Sequence, residues 1–156
     1  MTPRHKPRGQ PTDAIAMLKA DHHKIRTLFV AYHAAMDRDT KRSVAQLVFV
    51  ELETHAQLEE HVFYPAVHEE SDDGQELVRA CLKEHQTMQQ CIQELRAMRA
   101  DLKAFDAKFH ELMRYVDHHV AEEEAQMFPR AAAELEADLQ ELRDEMQELK
   151  VQLLAS

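Results

Sequence analysis

Two segments of the chain repeat one pattern of chemically capable residues: His55-Ala-Gln-Leu-Glu59-Glu-His-Val-Phe-Tyr64-Pro65 and His119-Val-Ala-Glu-Glu123-Glu-Ala-Gln-Met-Phe128-Pro129. In each, a glutamate follows the histidine by four residues, and an aromatic–proline pair closes the segment ten residues on. On an α-helix, positions i and i+4 share one face, about 6 Å apart along the axis. Each copy therefore aims an imidazole and a carboxylate at one point. This is the spacing of metal ligands, and its duplication predicts a centre for a pair of ions.

The elements that must position these groups are helices. Gly is nearly absent (2 residues), Trp is missing, and Ala, Leu, Glu, Gln, Met, Lys and Arg dominate, which favours helix throughout. Apolar residues recur at helical spacing in four segments. The first spans about 13–37, with Ile15, Leu18, His22, Ile25, Phe29 and Tyr32 on its inner line and Thr12 or Asp13 as its cap. The second spans about 41–68, with Val48, Leu52, His55, Glu59 and Val62 inward. Ser71-Asp72-Asp73-Gly74 then interrupts the pattern and caps the third, about 74–100, with Val78, Cys81, His85, Met88, Ile92 and Leu95 inward. The fourth, about 103–128, carries Phe105, Phe109, Leu112, Val116, His119 and Glu123.

Helices of this length with short connections predict an all-α fold, an up-down-up-down four-helix bundle spanning 13–130. Counted outward from each turn, His22, the His55/Glu59 pair, His85 and the His119/Glu123 pair fall at one height, to within about 3 Å at 1.5 Å per residue. Residues 1–12, basic and broken by three prolines, are expected to form a disordered arm. An additional acidic C-terminal helix is expected over 131–156, where Leu135, Leu139, Leu142, Met146, Leu149 and Leu153 form a coiled-coil-like seam. That seam either docks on the bundle, leaving a monomer, or pairs with a second copy as a homodimer.

At 156 residues the chain suits one domain with a substantial core. A formal net charge of −10 argues against nucleic acid as a partner, since phosphates must be neutralised by Lys and Arg. Cys81 and Cys91, ten apart in one helical pattern, lie about 15 Å apart along the axis and cannot bridge. They read as reduced thiols. With no signal-like segment and no run of 18 apolar residues, the expectation is a cytoplasmic protein that does not span a membrane.

A single histidine on an apolar face is usually a hydrogen-bonded core residue. One on each of four helices at one level is another matter, because Glu59 and Glu123 would be buried beside them and an unpaired buried carboxylate is costly. Metal coordination answers both problems, so His22, His55, Glu59, His85, His119 and Glu123 are the candidate ligands. His23, His61, His68 and His118 are expected to face solvent. The spacing of His118 and Glu122 is also i, i+4, but alignment through Pro129 selects His119 and Glu123. Glu60 and Glu124 read as exposed pairs or as carboxylates behind the ligands, and the Met residues as core filler. Imidazole mixed with carboxylate, without thiolate, suits iron or manganese, with zinc a lesser alternative. Bridging glutamates would give each ion two nitrogens and two oxygens, and an added oxo or hydroxo bridge would still leave a position for a small molecule. The Glu-x-x-His signature of ferritin-type bundles is absent, since no glutamate lies three residues before a histidine.

Asp21-His22, His55-x3-Glu59 with Tyr64-Pro65, Glu84-His85, and His119-x3-Glu123 with Phe128-Pro129 together resemble the hemerythrin-like, or HHE cation-binding, family. The resemblance covers about residues 12–130 and implies a four-helix bundle around a non-haem di-iron centre held by the six candidate ligands. Oxygen-carrying hemerythrins have His-x3-His in the third helix, where this chain has Gln89 four residues after His85. They also end in His-x4-Asp, where this chain has His-x3-Glu. One histidine short, the chain is more similar to the bacterial and regulatory branches, and an extra open position invites redox turnover.

Three functions are compatible with such a centre. One is binding of oxygen, nitric oxide or peroxide, with Ile25, Leu52, Met88, Leu112 and Val116 shielding the ligand. A second is a peroxidase, catalase-like or oxidase enzyme, with Tyr32 or Tyr115 as the phenol nearest the metal unless it merely packs. The third is iron sensing or delivery, in which folding depends on the metal.

Overall fold

The computed structural model describes residues 11–99, 101 and 103–155. The arm expected before Pro11 lies outside the described residues. Helix α1, Ala14–Ala34, starts where the Asp13 carboxylate accepts from the Ala16 N–H at 2.9 Å. Helix α2, Arg38–Leu58, is capped in the same way by Asp37, which accepts from the Thr40 N–H at 2.7 Å. Both caps satisfy donors that have no partner within the helix.

The second rod does not end at Leu58. It passes through one π-helical turn, Glu59–Phe63, into α3, Tyr64–Glu70. Pro65 explains the widening. Proline lacks an N–H, and its ring would collide with the carbonyl of His61 in a regular α-helix. The wider turn relieves that clash, and the Tyr64 N–H reaches back five residues to the Glu59 carbonyl. Ser71 then caps α4, Asp72–Arg96, by accepting from the Gly74 N–H at 3.0 Å. Gly74 sits so close under the Val67 carbonyl that a Cβ has no room there. Helix α5, Lys103–Glu122, repeats the device: a π turn over Glu123–Met127 precedes Pro129 and leads into α6, Phe128–Glu134.

Four antiparallel rods result, as the periodicity predicts, and no strand forms among the described residues. The widened turns change which residues face inward. Val62, placed on the inner line by α-helical counting, is only partly buried, while Phe63, Tyr64 and Val67 fill the interior. After a turn at Leu135–Asp138, α7, Leu139–Ala155, lies against α1 and α2. Its seam docks: Leu139, Leu142 and Met146 are buried, and Leu149 and Leu153 pack on the same cluster.

The apolar core is split in two. One cluster, containing Leu18, Leu58, Phe63, Val67, Phe128 and Met146, fills the end covered by α7. The other, containing Ile25, Phe29, Phe49, Ile92, Phe109 and Leu112, fills the opposite end. Between them lies a layer of buried polar groups.

Candidate metal centre

All six residues singled out from the sequence meet in that layer. His22, His55, Glu59, His85, His119 and Glu123 are each no more than 7% exposed, and Glu59 is fully buried. Each comes from the inner line of its rod, so the periodicity that buries the core also delivers the donors.

The histidines form two pairs. The rings of His22 and His55 are 4.9 Å apart between centroids, and those of His85 and His119 are 4.8 Å apart. The glutamates lie between the pairs, and each reaches both. Glu59 Oε1 is 3.2 Å from His55 Nε2 and 3.2 Å from His85 Nε2. Glu123 places Oε1 3.1 Å from His22 Nε2 and Oε2 3.4 Å from His119 Nε2. His22, His55, Glu59 and Glu123 thus make one group able to hold a metal ion, and Glu59, His85 and His119 make another.

These contacts are near enough to be ion pairs, yet both Glu59 oxygens, Glu123 Oε1, both His22 nitrogens and His55 Nε2 lack a hydrogen-bond partner. Buried polar atoms without partners are rare and expensive. Two ligand atoms each about 2.1 Å from one ion stand roughly 3 Å apart, which is the spacing found here. The donor set fits a pair of transition-metal ions.

The electrostatics also call for positive charge. Burial alone would lower the basicity of His55, but the Glu59 and Asp21 carboxylates reverse this and hold its pKa at about 10. His119 and His85 are likewise raised despite burial. Burial would raise Glu59, but the charge of His55 beside it holds it well below the usual carboxylate range.

Behind the inner groups stands a ring of carboxylates. His55 Nδ1 donates to Asp21 at 2.9 Å, and His119 Nδ1 donates to Glu84 at 2.8 Å. Each acceptor directly precedes a candidate ligand histidine in sequence but serves the histidine of a neighbouring rod. Glu124 stands 3.7 Å from His22 Nδ1, and Glu60 stands 3.8 Å from His85 Nδ1. Asp21 and Glu84 fix the orientation of the His55 and His119 rings, leaving Nε2 to face the centre.

One central group escaped the sequence reading. The phenol of Tyr64 donates to Glu123 Oε2 at 2.6 Å, and its oxygen is 3.2 Å from His85 Nε2 and 3.4 Å from His119 Nε2. Burial, then Glu59 and Glu123, push its pKa well above the ordinary phenol value. The tyrosines expected near the centre are elsewhere. Tyr32 is buried in the far cluster and donates to Asp106 at 3.0 Å, and Tyr115 is partly exposed and donates to Glu111 at 2.7 Å. On a regular helix, residue 64 would be rotated by about 140° from residue 59. The π turn, which winds less per residue, reduces that offset. A proline directly after the tyrosine was the available signal.

Of the groups read as peripheral, His23, His61, His68 and His118 are exposed. Gln89, where oxygen carriers resemble a further histidine, donates to Glu53 at 3.1 Å. A small cavity of about 30 Å³ lies against the histidines, walled by Ile25, Leu52, Met88, Ile92 and Val116. Leu112 is buried but does not line it.

The hemerythrin HHE cation-binding domain matches residues 13–131. An uncharacterised hemerythrin-like protein of Schizosaccharomyces pombe is 28% identical over 110 residues, covering 70% of this chain and 54% of its own length. A DNA nickase of Nostoc sp. is 25% identical over 112 residues, covering 72% of this chain and 31% of its own length. The chain thus spans between about a third and about half of these two relatives. In fold, it is similar to the crystal structure of a hemerythrin HHE cation-binding domain-containing protein from Mycobacterium kansasii. The TM-score is 0.76 at 21% identity, over 92% of this chain and 90% of that one. No helix among the described residues is long and apolar enough to cross a membrane. With a match across most of its length and a buried His/Glu cluster able to bind metal, the chain belongs to the hemerythrin HHE cation-binding domain family.

Proposed function

We propose that the protein is a non-haem di-iron protein that takes up a small molecule (oxygen, nitric oxide or peroxide) beside its metal pair. In this reading, His22, His55, His85 and His119 would hold two ions together with Glu59 and Glu123, the carboxylates that reach both histidine pairs. The observation that carries it is the convergence of buried imidazole nitrogens and carboxylate oxygens without hydrogen-bond partners. Iron suits this hard, mixed nitrogen and oxygen donor set; manganese or zinc is the alternative that metal analysis would reveal.

Bound iron would supply redox chemistry and Lewis acidity. The chain does the rest. The apolar wall of Ile25, Leu52, Met88 and Val116 excludes bulk water, and a space of about 30 Å³ admits only a molecule of a few atoms. Asp21 and Glu84 hold the rings of His55 and His119 in place. The buried thiols of Cys81 and Cys91, both free, accord with a reducing compartment such as the cytoplasm.

Tyr64 favours a second reading, that of a peroxidase or catalase-like enzyme. Its hydroxyl is kept protonated and lies beside one histidine pair only, where it can ligate the metal or give a proton to a reduced oxidant. Metal analysis and anaerobic spectroscopy separate these functions. The expected result is two irons per chain, with a reversible optical change on adding oxygen or nitric oxide to the reduced protein. Sustained peroxide consumption would select the enzyme instead. A chain that retains no iron after purification and loading would end both readings.

A further inference from the structure

An apolar cavity adjoins the polar layer on one side, and a second side of the bundle leads to it from solvent. Helix α4 runs antiparallel to the rod formed by α5, the second π turn and α6, and a groove of about 570 Å³ lies between them. The Arg130–Asp73 ion pair, at 3.3 Å, stands at one end. Asp73, Glu76 and Glu122 make its wall acidic, and Cys81 and Glu123 line it from within. Both inner residues are at least 95% buried, and Glu123 Oε1 has no hydrogen-bond partner. The Cys81 sulfur belongs with His119 and Glu123 to a group whose donor atoms lie within 4.8 Å of one another.

The next helical rung along the same two helices is Glu84 opposite His118. His118 Nε2 is 3.4 Å from Glu84 Oε2 and 3.3 Å from Glu122 Oε1. One imidazole and two carboxylates therefore converge at the surface, as a second set of donors able to hold an ion. This set is joined to the buried centre at both ends. Glu122 also lines the groove, and Glu84 uses its other oxygen, Oε1, to accept from His119 Nδ1.

We propose that Glu84, His118 and Glu122 form a surface capture site for a divalent transition-metal ion, and that the groove is its path to the buried donors. The proposal rests on the di-metal reading. Imidazole with carboxylate selects such a cation over alkali ions, and a cleft lined by one sign of charge raises the local concentration of the opposite sign. Weak donors in the open suit capture and release. The buried set at the floor retains the ion.

The test is the rate of metal uptake by the full-length chain after chelation, with Co²⁺ as a spectroscopic probe at low ionic strength. His118→Ala combined with Glu122→Gln leaves all six buried candidates and Glu84 in place. Its final content of tightly held metal should equal that of the parent, while loading slows by about tenfold or more. Glu76→Gln, on the opposite wall of the groove, should also slow loading. Glu145→Gln on α7, which removes one charge elsewhere, should not. Equal loading rates for the parent and both groove variants would overturn the capture site, as would equal slowing by Glu145→Gln. A parent chain that takes up no Co²⁺ would remove the buried centre itself, and the route with it.

Discussion

Tyr64 and Phe128 occupy the same place in the two repeats, five residues after the buried glutamate and directly before a proline, but only one of them carries a hydroxyl. The Tyr64 oxygen reaches His85, His119 and Glu123, whereas Phe128 stacks on His22 at 5.7 Å with an interplanar angle of 10°. The centre is therefore nearly two-fold in its nitrogens and carboxylates and asymmetric in its aromatic floor. Any ions held there are inequivalent.

Tyr64→Phe should erase that asymmetry while keeping the fold. It leaves Glu123 Oε2 without its phenol donor, at a cost of about 1–3 kcal/mol to the protein before iron is added. In the ferric protein it should abolish any phenolate charge-transfer absorption and slow peroxide consumption. An unchanged visible spectrum would show that the phenol does not ligate iron.

Replacing both Glu59 and Glu123 by alanine should give a helical protein that holds little or no iron. The two carboxylates are the groups that touch both histidine pairs. Metal analysis checks this, with circular dichroism reporting the helix content. Retention of two irons per chain would sink the bridging assignment.

Asp21→Asn should weaken metal binding without removing a ligand. The carboxylate orients His55 through a 2.9 Å hydrogen bond, and loss of such a partner lowers metal affinity by about 10–100-fold. A competition titration against a chelator measures this directly. Parental affinity in the variant would mean that packing alone orients His55.

The iron-free protein should lose stability on the alkaline side. The His55 pKa is about 10 when folded, against an ordinary value of 6.5. Its contribution is therefore fully present below about 6.5 and disappears as pH rises through about 10. Glu59 is shifted the other way, so its contribution is present above the usual carboxylate range and disappears as pH falls toward its depressed folded value. Under the proposed di-iron reading, bound metal takes the place of those protons, so the loaded protein should show a flatter dependence between neutral and alkaline pH. Melting temperatures measured with and without iron across this range test the difference; parallel curves would contradict it.

Met146→Ala should destabilise the protein by about 2–5 kcal/mol, because Met146 is fully buried where α7 meets the bundle. Chemical denaturation provides the value. A midpoint unchanged at every protein concentration would mean that α7 is not docked in solution. A concentration-dependent loss would indicate the homodimer that its seam also permits.

Much of this protein follows from residue order alone. A period of 3.6 places His22, His55, His85 and His119 on inner lines, and equal counts from the turns bring them to one level, because rise per residue in a helix is constant. The repeated His-x3-Glu spacing adds the two carboxylates, and Asp13, Asp37 and Ser71 cap helices through local hydrogen bonds that sequence neighbours supply. The tertiary structure decided what depends on rotation about and contact between the rods. Pro65 widens its turn and swings Tyr64, rather than Tyr32 or Tyr115, onto the centre, which uniform α-helical counting cannot register. Asp21 and Glu84 serve histidines 34 and 35 residues away, pairings fixed only when neighbouring helices choose their facing angles. The docking of α7 is of the same kind, since an apolar seam specifies that it must be covered but not by what.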